Sequence, residues 1–367
     1  MQSYCGALCA AVFIETLIYN SYGGNGIKME STENKIRKKT KLTQRTSNPF
    51  PNSDTNKRYY TYDYYLRHTF GGKCAKIVLD AGYTCPNIDG KCGVGGCIYC
   101  SGRGSGDFAM LPSVPIAEQY MGLIASLGEK WRTDKYIPYL QAHTNTYAPL
   151  ETVKQRTEQA ISLPGAVALN IATRADCLPD DIVDYLSEVA DRIPLTVELG
   201  LQTSSDITAE IINRGHTFAQ FKNGYERLRR RGGSKIKICI HIIFGLPGED
   251  DAVMLETVKQ VAKLHPDIVK IHLLHVIKNT ALAKMYESGE YVPLEKDHYV
   301  RLVCKALERL PEDIVIERLT GDGMGDDLLA PEWSRKKVSV INDIDKMLYA
   351  QNTYQGAKLG QSDRFVP

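Results

Sequence analysis

Lys76-Ile77-Val78-Leu79, then Cys85-Pro86-Asn87-Ile88-Asp89-Gly90-Lys91-Cys92-Gly93-Val94-Gly95-Gly96-Cys97-Ile98-Tyr99-Cys100, is the stretch on which the reading of this 367-residue chain turns. The first four residues are a short, mostly apolar run of the kind that forms a buried strand. The glycine-rich loop after it carries Cys85, Cys97 and Cys100, spaced like ligands of an iron-sulfur cluster with one iron left open. A closed structural site uses four protein ligands, whereas a catalytic metal site keeps one position for water, substrate or cofactor. A structural zinc is the competing reading, with Cys92 as fourth thiolate. A zinc ribbon would want a second Cys-x-x-Cys or a His pair, and Cys5, Cys9, Cys74, Cys177, Cys239 and Cys304 supply none. Spacing alone leaves both readings open.

Outward from the loop, short apolar runs alternate with amphipathic stretches, the pattern of a parallel sheet built from βα units. Six strands are expected: Lys76 to Leu79, Ile137 to Gln141, Ala166 to Thr173, Leu195 to Leu199, Ile236 to Phe244 and Ile268 to Val276. The fold class is therefore α/β, a partial barrel. In such barrels the chemistry sits on loops at the carboxyl ends of the strands. The cysteine loop follows the first strand. Thr144-Asn145-Thr146, Thr173-Arg174, Gly200-Leu201-Gln202 and Gly245-Leu246-Pro247-Gly248-Glu249 follow the next four.

With these segments in hand the chain resembles the radical S-adenosylmethionine (radical SAM) superfamily. The usual spacing there is C-x3-C-x2-C. This chain departs from it with eleven residues between Cys85 and Cys97. The long gap resembles the YhcC/YtqA-like branch, close to the Elongator catalytic-subunit group. So do Tyr62-Asp63-Tyr64-Tyr65-Leu66-Arg67, Gly104-Ser105-Gly106-Asp107-Phe108, Gln141 to Pro149, Glu198-Leu199-Gly200-Leu201-Gln202-Thr203 and Asn213-Arg214-Gly215-His216. Together they cover roughly residues 57 to 350. Cys92 is not part of the branch's pattern.

The resemblance implies a (β/α)6 TIM-like barrel in which Cys85, Cys97 and Cys100 hold a [4Fe-4S] cluster and S-adenosyl-L-methionine chelates the open iron. One electron would cleave the cofactor to a 5′-deoxyadenosyl radical, the protein supplying orientation and a dry cavity. Tyr99 would border the adenine, or else pack the loop. Thr144, Asn145 and Thr146 would receive the methionine ammonium, or cap the following helix. Glu198 and Gln202 would meet the ribose hydroxyls or the methionine end, since an unpaired buried carboxylate is costly. Gly245, Leu246 and Pro247 would pair with adenine through backbone groups, with Glu249 capping the next helix. Arg174 would meet the cofactor carboxylate, or pair with Asp176 or Asp180.

Other motifs carry less. Gly102, Gly104 and Gly106 lack the strand-loop-helix context of a phosphate cradle and read as tight turns. His265, His272 and His275 form no metal signature, and strand alternation would split His272 and His275 between two faces. His143, Tyr147 and Cys177, near strand ends, are candidate hydrogen donors or acid-base groups.

The composition, 43% hydrophobic and 24% charged, suits one enzyme core with small extensions. Residues 1 to 57 are expected to form a flexible arm, 58 to 290 the barrel and 291 to 367 a C-terminal extension. The apolar stretch Ala7 to Tyr19 contains Glu15 and lacks a basic flank, so it fits neither a signal peptide nor a membrane span; Met29 is an alternative start. Ten cysteines in a chain without a secretory signal point to a reducing cytoplasm.

A net charge of +2 gives no overall nucleic-acid footprint. Two basic segments, Lys28 to Arg45 and Arg227 to Lys237, and the tyrosines at 59, 60, 62, 64 and 65 are the local candidates for a phosphate track with stacking rings, or else a solvated surface and a packed cluster. The resemblance adds tRNA as the probable partner. YtqA-like proteins are implicated in converting the carboxymethylaminomethyl group of wobble uridine to aminomethyl, and a flavodoxin or ferredoxin would donate the electron. Two alternatives stand beside this: the same machinery acting on a small molecule or peptide, and a noncatalytic, zinc-stabilised interaction protein.

Overall fold

The strand runs alternate inside as well as between elements, and this builds the barrel wall. In Leu195–Gln202 the residues Leu195, Val197, Leu199 and Leu201 are buried under helices, while Glu198, Gly200 and Gln202 line an interior cavity. Successive side chains of a strand point to opposite faces, so one face is apolar and the other polar. The computed structural model describes residues 48–104, 108–128, 132–321 and 325–359. Cys5, Cys9, the Ala7 to Tyr19 stretch, Met29, the Lys28 to Arg45 segment and Ser105 to Asp107 lie outside them.

In chain order the first half contains α1 (Tyr62–Phe70), β1 (Ala75–Leu79), α2 (Ile116–Ser126), β2 (Tyr136–Leu140), α3 (Leu150–Ile161), β3 (Leu169–Thr173), α4 (Asp180–Ala190) and β4 (Leu195–Gln202). Next come α5 (Asp206–Ile211), α6 (Phe218–Gly232), β5 (Ile236–Phe244), α7 (Asp251–Leu264) and β6 (Ile268–Leu273). The C-terminal part adds β7 (Val276–Ile277), α8 (Ala281–Glu287), α9 (Lys296–Leu307), β8 (Val315–Arg318), β9 (Leu328–Ala330) and α10 (Lys337–Ala350). Local chemistry sets several helix ends. Thr217 and Gln220 form a reciprocal capping box that starts α6, and Gly71, at φ 69°, ends α1 in the left-handed region.

Among the described residues seven of the strands form one parallel sheet in the order β1-β2-β3-β4-β5-β6-β8. The chain is a partial TIM-like barrel, with one strand more than the six expected. β8 pairs parallel to β6 through Ile268–Val315 and Val269–Ile316, so the C-terminal part extends the wall. The expected sixth strand breaks after Leu273; Val276–Ile277 leaves the barrel to pair antiparallel with β9.

The barrel floor is a tyrosine plug. Tyr60, Tyr62 and Tyr65 pack on Cys239 of β5 and on Ile268 and Val315, the first residues of β6 and β8, and Tyr62 stacks on Tyr65 with ring centroids 5.9 Å apart. Of the two readings of these rings, the packed cluster describes Tyr59, Tyr60, Tyr62 and Tyr65, while the half-buried Tyr64 stacks on His68. Residues 48–57 are fastened to the body at a few points. Phe50 is 2% exposed, Lys57 pairs with Asp345 at 2.5 Å, and Asn52 Nδ2 donates to the Glu312 carbonyl. No helix among the described residues is long and apolar enough to cross a membrane.

Candidate functional site

At the carboxyl ends of the strands lies a cavity of about 280 Å³ whose wall includes Cys85, Cys97, Cys100, Tyr99, Gln141, Thr144, Arg174 and Gln202. The three cysteines singled out by spacing thus share one space. Cys92 is exposed and absent from that wall, its Sγ 4.0 Å from Asp176 Oδ2. No disulfide joins the described cysteines.

The long loop between Cys85 and Cys97 has a definite seat. Asn87, fully buried, donates from Nδ2 to the Asn213 carbonyl and to Cys97 Sγ at 3.6 Å. Asn213 Nδ2 returns hydrogen bonds to the carbonyls of Val94 (3.1 Å) and Gly96 (2.7 Å). Ile98 N donates to the Ile212 carbonyl at 3.1 Å. The turn after α5 therefore clamps the cysteine loop. Glycine is required at both touching points: a Cβ on Gly93 would lie 2.2 Å, and one on Gly215 2.6 Å, from Asn87 Oδ1.

The polar groups expected around a cofactor divide by position. Thr144 lines the cavity, whereas Asn145 and Thr146 do not. Asn145 Nδ2 lies within hydrogen-bonding distance of the carbonyls of Leu140, Ala142 and Ala172, and the Thr146 hydroxyl donates to the Cys177 carbonyl at 2.5 Å. Both lock the end of β2 to the start of the next units. Neither caps α3, whose N-cap is Pro149. Gln202, at φ 77°, faces the cavity, and its Oε1 and that of Gln141 are buried without a hydrogen-bond partner among the described residues. Tyr99 borders the cavity and packs on the Ile212–Leu246 cluster. Burial, then the neighbouring Cys97, pushes its phenol well above the ordinary value.

Arg174 is committed to a bidentate pair with Asp176 (Nε–Oδ1 3.0 Å, Nη2–Oδ2 2.8 Å) and to the Arg214 and Gly215 carbonyls. Asp180 instead meets Arg231 at 3.0 Å. Gly245, Leu246 and Pro247 lie outside the cavity wall: the Gly245 carbonyl accepts from Tyr291 at 2.8 Å and its N–H faces Met254 Sδ. Helix α7 is capped by Asp250, which accepts from Val253 N at 2.9 Å, and not by Glu249. Glu249 turns inward, where Thr203 donates to it at 2.5 Å and burial raises its carboxyl to about 7.

Glu198 has a full set of donors. Oε1 accepts from Lys76 Nζ (2.5 Å) and Asn170 Nδ2 (2.7 Å), and Oε2 from Lys270 Nζ (2.5 Å) and His241 Nε2 (2.8 Å). Burial opposes its ionisation, but the Lys270 and Lys76 ammoniums outweigh this and hold the carboxyl well below the usual range. Lys76 also reaches Glu317 of β8 at 2.6 Å, so the network ties β1 to β8 across the barrel's open edge. Among the described residues, Glu198, Cys239 and His241 are the one group of three ligand-type side chains whose ligand atoms lie within 4.8 Å of one another. Two ammoniums already occupy it.

The split of His272 and His275 between two faces is corrected. Both line the cavity, with His143 and His241, because β6 ends at Leu273 and the chain turns, Leu274 N donating to the Phe244 carbonyl at 2.9 Å. Tyr147 and Cys177 do not line it, and burial raises the Cys177 thiol to about 12. Sequence reasoning gave no role to Lys76, Arg214, His241, Lys270 or Arg318; all but Lys76 line the cavity.

The profile of the Radical SAM superfamily matches residues 89–261, and that of the Radical_SAM C-terminal domain matches 266–350. YtqA of Bacillus subtilis is 47% identical over 310 residues, covering 84% of this chain and 95% of that one. The chain belongs to the radical SAM superfamily, in the YhcC/YtqA-like branch. YhcC of Escherichia coli is 35% identical over 297 residues, 81% of this chain and 94% of its own length. Among solved structures, the Elp3 of Methanocaldococcus infernus superposes with a TM-score of 0.56 at 17% identity, covering 77% of this chain and 64% of that one; this bears on the fold.

Radical SAM enzymes use a [4Fe-4S] cluster and S-adenosylmethionine, and these are this chain's cofactors. The donor set fits them. A single tetrahedral zinc, with Zn–S near 2.3 Å, holds its sulfurs about 3.8 Å apart. Among the described residues no three cysteine sulfurs lie mutually within 4.8 Å. A cubane takes each thiolate on a separate iron and so accepts a wider set. Cys92, exposed and turned to Asp176, leaves the four-thiolate zinc reading without its fourth ligand.

Proposed function

We propose that this radical SAM enzyme holds its cluster on Cys85, Cys97 and Cys100, binds S-adenosylmethionine against Tyr99, Thr144 and Gln202, and acts on the wobble uridine of tRNA, converting a carboxymethylaminomethyl side chain to aminomethyl. The observation that carries the site reading is the convergence of three thiols on one cavity at the carboxyl ends of the strands. When bound, the cofactor pair would supply radical chemistry at a carbon–hydrogen bond of the substrate. The chain's own residues orient and enclose: the Asn213–Gly215 turn seats the cysteine loop, and the Glu198 network closes the barrel below it.

Kinship with the YtqA-like branch supports the tRNA substrate. Most of the candidate basic segment is a salt-bridged surface, with Arg230 exposed and outside those pairs. In the Arg227 to Lys237 segment, Arg229 and Lys237 pair with Asp267, Arg231 with Asp184, and Lys235 with Asp191.

Two measurements test the reading. Anaerobic reconstitution should load about four iron and four sulfide per chain, as a cubane requires, with dithionite-driven formation of 5′-deoxyadenosine that Cys97→Ala abolishes. Deleting the gene should make carboxymethylaminomethyluridine accumulate in tRNA at the expense of the aminomethyl nucleoside. An unchanged nucleoside profile with an active cluster would move the substrate to the small-molecule or peptide class.

A further inference from the structure

The cavity contains a buried cation with no carboxylate in direct contact; the acid near enough to feel its charge, Asp176, is already held by Arg174. Arg214 is 6% exposed, and no carboxylate lies within 4.0 Å of it among the described residues. Its Nη2 donates to the Gly200 carbonyl, and its Nε is buried with no hydrogen-bond partner. Its Nη1 lies 4.0 Å from Cys97 Sγ. A buried guanidinium whose nearest acid is taken by another arginine is costly, and a further anion beside it offsets that cost. The same sulfur receives the Asn87 amide at 3.6 Å. Asn87 is fixed by the Asn213 carbonyl and walled by Gly93 and Gly215. Both groups reach Cys97 from the loop seat: Asn87 from inside the long cysteine loop, Arg214 from the turn that clamps it.

We propose that Arg214 and Asn87 are positioning residues that hold the Cys97 thiolate and raise the reduction potential of the cluster bound there. The inference rests on Cys97 being a cluster ligand. Adding an electron makes the cluster more negative. A fixed positive charge and a sulfur-directed N–H both favour the more negative state, and hydrogen bonds to the sulfurs are among the factors that set such potentials. The long Cys85–Cys97 gap then has a purpose, since its residues carry one of the two groups to the sulfur.

The test is an anaerobic redox titration of the reconstituted full chain, followed by electron paramagnetic resonance without S-adenosylmethionine, for wild type, Arg214→Gln, Arg214→Lys and Asn87→Ala. Iron and sulfide are quantified in each. Arg214→Gln should lower the ratio of reduced to oxidised cluster at least tenfold at a given solution potential, a downward shift of about 59 mV for a one-electron couple. Arg214→Lys should restore most of it, and Asn87→Ala should shift it the same way by less. Wild-type potentials in both Arg214→Gln and Asn87→Ala would overturn the proposal. So would a loss of S-adenosylmethionine affinity in Arg214→Gln at unchanged potential, which would assign the guanidinium to the cofactor carboxylate. If Arg214→Gln loads no iron, Asn87→Ala decides on the same criterion. A wild type that binds no iron refutes the cluster reading itself.

Discussion

Replacing Glu198 by glutamine should cost far more stability than so small a change suggests. The side chain is 0% exposed, between Lys76 at 6% and Lys270 at 3%. Glu198→Gln keeps the volume but leaves two buried ammoniums to share Glu317, which lies 2.6 Å from Lys76 and 3.0 Å from Lys270. Removing one partner of a buried pair typically costs about 3–5 kcal/mol, because the charge left behind stays desolvated. Against a total of roughly 5–15 kcal/mol for ordinary domains, that is a large fraction. Anaerobic urea denaturation of reconstituted protein at pH 7, followed by circular dichroism, should find it. The partner variant Lys270→Met and the double variant complete a cycle. The double should be less destabilised than the sum, since residues of one ion network couple. The pH dependence has a definite sign. The Glu198 carboxyl is depressed in the fold, so its contribution is present above its ordinary value of 4.5 and is lost as pH falls below it; Glu198→Gln should flatten that acid limb. A loss under about 1 kcal/mol, far below the range for a broken buried pair, together with an additive cycle, would refute the reasoning. If affinity for S-adenosylmethionine fell tenfold at unchanged stability, Glu198 would belong to the cofactor after all.

Further outcomes follow from other sites. Glu249, raised from 4.5 to about 7 by burial, favours the fold when protonated. Its contribution is complete below pH 4.5 and lost as pH rises through 7, so the stability of wild type relative to Glu249→Gln should fall by at most roughly 3 kcal/mol between those limits, at 1.36 kcal/mol per pH unit. Cys92→Ser should retain the iron and sulfide content of wild type, because Cys92 is exposed and off the cavity wall; loss of iron would bring Cys92 into the ligand set. Gly224→Ala would put a Cβ 2.0 Å from the Ala175 carbonyl oxygen and 2.5 Å from its carbon. Backbone cannot swing aside as a side chain can, so thermal melting should report a loss beyond the usual 1–3 kcal/mol of overpacking. Arg231→Gln with Lys235→Gln should leave the salt dependence of tRNA binding unchanged, since both cations are already paired with aspartates; a shallower slope in filter binding would make them phosphate contacts.

Legibility in the sequence followed the range of the interaction. Ile236 to Phe244 was readable to the residue because its isoleucines alternate with Lys237, Cys239 and His241, the two-residue period of a strand. Ala166 to Thr173 was read too long, since only Leu169–Thr173 joins the ladder and Ala166 makes a single bridge to Tyr136. The capping box at Thr217 and Gln220 is local and legible in principle. The Glu198 network was not, because Lys270 and Lys76 lie 72 and 122 residues away along the chain. Nor was the placement of the tyrosines, which aromatic content alone assigns equally to a floor or to a nucleic-acid surface. The basic look of Arg227 to Lys237 was largely offset by aspartates from other elements, Arg230 excepted.

By itself the sequence determined the family, the parallel-barrel class and the three thiols, because cluster chemistry demands particular residue types and strand formation is a local preference. The tertiary structure decided which polar residues face the cavity, where the eleven-residue cysteine gap is fastened and which charges are left over. Those depend on barrel curvature and on contacts between segments more than a hundred residues apart, such as Asn87 with Asn213 and Cys97 with Arg214.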